Sequence, residues 1–287
     1  MGVNINQEQD VRPSLVNDAH QRYVYIDFTK EMPTATVATR TSGVPTGTAG
    51  NVNHLAVRNA VLEYHVIGTQ TILAPGRVDA GLDITQDDDN DDGVEYTTGC
   101  EFPADTVIAD TAGSSAGTFQ VGTDGPFGVA LKVTLADVSE LDEFMLGFRK
   151  AEAYQAVIET AYDEMAAFNC MSGDIYIDTI LNNASNVSTD TTDNWADAAT
   201  KTLAVICASA GSLSNDGTVG KCYFLIDGEP PTTEAAARFK FDSGELVIPF
   251  FAYRHDGSAS HDITVIEFES GLFPLPKLLS QYDIGNA

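Results

Sequence analysis

The stretch FGVALKVTL, residues 127–135, constrains the fold more than any other part of the chain. Phe127, Val129, Leu131, Val133 and Leu135 fall on one side of an extended backbone, and Gly128, Ala130, Lys132 and Thr134 on the other. That period of two predicts a strand with one face against a core. The pattern recurs: Val78, Ala80, Leu82 and Ile84 oppose Asp79 and Asp83, and Val61, Glu63, His65 and Ile67 alternate with Leu62, Tyr64 and Val66. RYVYIDFT (22–29) and EFMLGFRK (143–150) read as strands from their aromatic and β-branched content. Later runs are continuously apolar, as strands covered on both faces are: IYIDTIL (175–181), TLAVICA (202–208), CYFLID (222–227), LVIPFFAY (246–253) and ITVIEF (263–268). Asn215-Asp216-Gly217 predicts a hairpin between the 202–208 and 222–227 runs. Pro249 cannot donate to a ladder and predicts an edge or a bulge.

One segment breaks the alternation. Tyr154, Val157, Ile158, Ala161, Tyr162, Met165 and Phe168 recur at helical spacing and predict an amphipathic helix over 151–169, with Glu152, Glu159, Asp163 and Glu164 on its solvated face. Many strands and one short helix give an all-β, two-sheet sandwich of jelly-roll type. Residues 1–20 read as a flexible N-terminal arm and 21–287 as one domain, with a split near 120 as the alternative.

The net charge of −27, with only 15 lysines and arginines, repels phosphate backbones and sets nucleic acid aside as a partner. No run of eighteen apolar residues is present, so no membrane span is expected. The polar start MGVNINQEQDVRPS lacks the apolar core of a secretory leader. Cys100, Cys170, Cys207 and Cys222 suit neither a zinc site nor a disulfide framework, and Cys207 and Cys222 read as small buried hydrophobes in a chain matured in a reducing compartment.

Tests for chemistry return mostly absences, and the chain is read as not an enzyme. There is no phosphate-binding loop, no H-E-x-x-H and no G-x-S-x-G. RHDGSASHD carries His255 and His261 beside Ser258 and Ser260, but neighbours on one loop do not converge as a triad must. Glu267 and Glu269 alternate on one strand as a hydrolytic carboxylate pair would, and Asp174 and Asp178 flank a mostly apolar strand. Arg149 and Lys150 read as surface partners of Glu152. The acidic run TQDDDNDDGVEY offers one metal candidate. Asp88, Asn90 and Asp92, followed by Gly93, match the front of a calcium loop, but the twelfth position holds Gly99 instead of a bidentate glutamate. Two readings stay open: a Ca2+ held at a turn, or a solvated hairpin tip with Asp92-Gly93 as its turn. No other cofactor is implied.

From Phe127 to the end, the text FGVALKVTLADVSELDEFMLGFRKAEAYQ, GDIYIDTILNN, TDTTDNWADAATKTLAVICASAG, LIDGEPP and LVIPFFAYRHD resembles a family of virion structural proteins of marine bacteriophages. Within it, Trp195, Leu203, Val205, Gly211, Phe224, Ile226, Asp227 and Gly228 are similar to the rhythm of concanavalin-like (laminin G-like) jelly rolls. The resemblance implies structural anchors at Trp195, Asp227 and Gly228. It implies a capsid decoration (cement) protein on the outer surface of a virion, assembled in the bacterial cytoplasm. The implied partners are the phage major capsid protein and further copies of the chain, as dimer or trimer. The alternative is a tail-fibre or spike module that binds a host glycan.

Overall fold

The computed structural model describes residues 23–30, 34–36, 52–57, 60–67, 76–78, 80–84, 93–98, 118–139, 141–152, 154–155, 157–209, 218–234, 239–255 and 263–279. They form a two-sheet β-sandwich of concanavalin-like jelly-roll type with one short helix. The first sheet runs β15 (Lys221–Ile226), β14 (Thr200–Ala208), β9 (Phe127–Leu135), β17 (Ile263–Leu272), β6 (Gly81–Asp83), β5 (Gly76–Val78). β1 (Val24–Asp27) shares the far edge of β17 with β6. The second sheet runs β13 (Val187–Asn194), β12 (Asp174–Ile180), β11 (Met165–Met171), β10 (Leu141–Lys150), β16 (Leu246–His255), β7 (Gly93–Thr97), β4 (Ala60–Ile67), β3 (Val52–Val57), β2 (Thr34–Thr36). β8 (Phe119–Gln120) shares the far edge of β16 with β7.

The alternation that opened the sequence decides the core. Phe127, Val129, Leu131, Val133 and Leu135 are all fully buried between the sheets, where each such side chain contributes roughly 1.5–3 kcal/mol. Phe144, Leu146 and Phe148 meet them from β10. Phe127 stacks on Phe119 at 4.5 Å and meets Phe148 edge-on at 5.0 Å. The expected hairpin of the 202–208 and 222–227 runs is present as the antiparallel β14–β15 pair. Trp195 is buried against Phe144 and donates its indole N–H to the Ala199 carbonyl at 3.0 Å, fixing the entry into β14. Asp227 and Gly228 turn the chain out of β15 with φ of 53° and 86°, and Asp227 accepts the Thr202 N–H at 2.8 Å.

Three expectations are corrected. The helix over 151–169 shrinks to α1 (Ile158–Ala161), and 165–171 is strand β11. Ala166, Phe168 and Cys170 face the core between the sheets while Met165 and Ala167 face outward, a period of two that the helical reading overlooked. Pro249 lies on a central strand, where β8 has ended at Val247 and β7 begins at Phe250; the change of neighbour supplies the gap a proline needs. β6 and β7 lie in different sheets, so the acidic run between them joins sheets and is not the tip of a hairpin.

Each outer face is partly roofed by its own chain. Residues 151–164 cross the second sheet and pack Ile158 and Tyr162 on Met145, Ala167 and Phe250. Residues 273–279 cross the first sheet and pack Leu275 and Leu279 on Ala130, Ala204 and Ile206. No helix among the described residues is long and apolar enough to cross a membrane.

Candidate functional site

Strand β12 reads DIYIDTI. Ile175 and Ile177 enter the core, so Tyr176 and Asp178 project from the outer face of the second sheet. Register places Asn169 of β11 on one side of Tyr176 and Asp190 of β13 on the other. Asn169 donates its amide N–H to Asp178 Oδ2 at 2.8 Å. Both residues are 1% exposed, and the remaining oxygen of each, Asn169 Oδ1 and Asp178 Oδ1, has no hydrogen-bond partner. Such orphaned acceptors cost free energy unless something donates to them.

The roof does not close over the Tyr176 ring, which stays part-exposed beside the exposed Asp174 and Asp190. A bulge shapes this edge. The pairing of β12 with β13 slips between Asp174 and Tyr176, and Thr192 takes up the slack at φ 63°. Asp190 Oδ1 caps the bulge by accepting the Thr192 N–H at 2.7 Å. Asp193 accepts from the Thr232 N–H and hydroxyl at 2.8 and 2.7 Å, which fixes the 229–234 loop beside the edge. Partial burial, then the charges of Asp174, Asp190 and Asp178, hold the Tyr176 phenol above its ordinary pKa, so it stays a neutral donor and acceptor.

The roofed half of the same face is built differently. Arg149, 1% exposed, donates to Glu95 Oε1 at 2.5 Å, and the Tyr162 hydroxyl donates to Glu95 Oε2 at 2.5 Å. The guanidinium also donates to the Lys150 and Glu152 carbonyls at 3.0 and 3.1 Å. It lies 4.4 Å from the Tyr162 ring centroid and 5.0 Å from that of Tyr154. Tyr154 shares a 2.9 Å hydrogen bond with Thr97 and stacks on His65 at 4.8 Å. Burial, and secondly the Arg149 charge, push the His65 imidazole down to about 4. At the roof's other end Arg254 pairs with Asp142, Glu143 and Glu159, and burial followed by the Glu159 carboxyl holds Glu143 well above the usual carboxylate range.

The sequence candidates separate. Asp88, Asn90 and Asp92 lie outside the described residues, as do residues 1–20, Cys100 and His261. Arg149 is not a surface partner of Glu152 but a buried partner of Glu95, while Lys150 alone keeps the surface role, 3.5 Å from Glu245 and 3.6 Å from Asp163. Glu269 is fully buried, accepting from the Tyr23 hydroxyl at 2.6 Å and the Leu278 N–H at 2.7 Å, so it anchors the C-terminal roof and has no free edge for acid–base work. Glu267 is held by Tyr25 at 2.8 Å and Lys132 at 3.5 Å. His255 is fully buried with its ring edge-on to Tyr253. Among the described residues, no group of three or more His, Cys, Asp or Glu is arranged to hold a metal ion. Asn169 and Asp190 were missed. The outward D-x-Y-x-D spacing of β12 was the available signal, and assigning Asn169 to a helix hid its place beside it.

No family model and no curated relative matches the chain. Solved structures do align with it. The carbohydrate recognition domain of Emp47p is similar at a TM-score of 0.47 and 11% identity, over 88% of this chain and 95% of that one. A structure described with the endo-acting O-glycanases of prominent human gut microbiota gives 0.45 and 10%, over 87% and 98%. Botulinum neurotoxin type C, described with its interaction with two ganglioside molecules, gives 0.41 and 8% over 85% of this chain, which spans 48% of that one. The capsid-decoration expectation is corrected by these findings. No virion family is matched, and these three structures are named for carbohydrate recognition, mucin breakdown and ganglioside interaction. The virion role and the capsid partner drawn from that resemblance lose their ground. At these identities the likeness concerns the two-sheet architecture alone.

Proposed function

We propose that the chain is a carbohydrate-binding module whose ligand lies over Tyr176 on the outer face of the second sheet, and that it takes uncharged sugars. The observation that carries this reading is the part-exposed Tyr176 ring beside the exposed carboxylates of Asp174 and Asp190. A pyranose presents an apolar C–H face, which packs on an aromatic ring, and a rim of hydroxyl donors, which carboxylates and amide oxygens accept. The side chains around Tyr176 are dominated by acceptors, matching such a rim. Their negative field, within a chain of net charge −27, disfavours sialylated and sulfated glycans.

The test is a glycan array carrying neutral, sialylated and sulfated sugars, followed by calorimetric titration of the best binder. Binding to neutral glycans that Tyr176→Ala reduces at least tenfold, with the melting temperature unchanged, is the expected result. An array with no binder, or with binders confined to anionic glycans, sinks the reading.

A further inference from the structure

Cys207 and Cys222 take no part in either half of that face. They are 0% and 1% exposed, and both are free thiols. In the β14–β15 ladder they stand directly opposite one another, and both side chains enter the core between the sheets. The kind of pair follows from one hydrogen bond. The Cys222 N–H donates to the Phe239 carbonyl at 2.9 Å, so it points away from β14. Cys207 and Cys222 are therefore a non-hydrogen-bonded pair, the closer of the two antiparallel types, with Cα atoms about 4.5 Å apart. Disulfides span Cα separations of about 4.4–6.8 Å. The two thiols lie within hydrogen-bonding reach of each other, and Cys222 Sγ has a second contact to the Gly220 carbonyl at 3.7 Å.

We infer that Cys207 and Cys222 are a redox pair that closes into a cross-strand disulfide when the chain folds in the presence of a small disulfide donor. One thiolate attacks a sulfur of the donor and releases the first donor thiol. The second protein thiol then displaces the other, forming the protein S–S bond. Two protein thiols are oxidised, the donor disulfide is reduced to two thiols, and those thiols carry away the two protons. Timing follows from burial, which holds the Cys222 thiol well above its ordinary range and makes thiolate scarce in the folded protein. Exchange belongs to the forming hairpin, or to moments when β15, the edge strand of its sheet, opens. Once closed, the bond staples that hairpin and the loop it encloses. The spacing of the cysteines in sequence hid this, because only the register brings them together.

The experiment refolds the full wild-type chain from denaturant, once in a mixture of oxidised and reduced glutathione and once in excess reductant. Each sample is denatured, its free thiols are alkylated, and its peptides are mapped by mass spectrometry. A linked peptide joining Cys207 to Cys222 in the first sample, absent from the second, is the expected result. Failure to recover that linkage under the oxidising refold, whether all four cysteines are alkylated or a different pair is joined, overturns the inference. The map is made on the wild type, so it decides even if Cys222→Ala does not fold.

Discussion

The outer face of the second sheet has two halves built from the same kinds of side chain and finished differently. Under the 151–164 roof, Arg149, Glu95, Tyr162, Tyr154 and Thr97 are matched donor to acceptor. Toward the β13 edge, the Tyr176 ring is part-exposed beside the exposed Asp174 and Asp190. Both halves leave some buried polar atoms unpaired, His65 Nδ1 and Glu143 Oε2 under the roof and Asn169 Oδ1 and Asp178 Oδ1 near Tyr176; what separates them is that the roof seals one half from water while the Tyr176 ring of the other stays reachable. The difference lies in cover, not composition.

That contrast is open to attack from both sides. The largest effect is expected from Glu95→Gln, which leaves the Arg149 charge buried without its counter-ion. It should cost roughly 3–5 kcal/mol in urea unfolding, and a loss below about 1 kcal/mol would show that the roof is not fastened by that pair. Next comes acid. With its folded pKa near 4 against an unfolded value of about 6.5, His65 is protonated first in the unfolded chain. Its contribution is therefore complete above about pH 6.5 and is lost as the pH falls toward about 4. His65→Phe, which keeps a ring on Tyr154, should flatten this part of the stability–pH curve by up to about 3 kcal/mol relative to wild type; parallel curves would refute the assignment. On the open half, Tyr176→Ala should lower affinity for a neutral glycan at least tenfold, about 1.4 kcal/mol, without moving the thermal midpoint. Asp190→Asn should be smallest in stability, within about 0.5 kcal/mol by the same unfolding assay, while still weakening the glycan titration. A large stability loss there would erase the distinction between the halves.

Much of the architecture was readable because alternation is local. Nine residues of β9 suffice to say which side chains enter the core. Residues 162–168 misled because Tyr162, Met165 and Phe168 satisfy a helical spacing, although the last two leave opposite faces of β11. Arg149 was placed on the surface because its counter-ion, Glu95, is 54 residues away and reaches it only through the order β10–β16–β7. The candidate site was half legible. Alternation in DIYIDTI turns Asp174, Tyr176 and Asp178 outward, but Asn169 and Asp190 join them only through register, which no single strand encodes.

The edge beside Tyr176 has a consequence for how copies of this protein coexist at high concentration. A straight, uncharged edge strand is a template on which a second chain can continue the sheet. β13 is bent by its bulge at Thr192 and carries the exposed Asp190, with Asp193 close behind. A neighbour arriving in register would meet a kinked ladder and its own like charges. The strand that frames the open face also guards against fibrillar growth, so the sheet can end in water beside the part-exposed Tyr176 without recruiting its own kind.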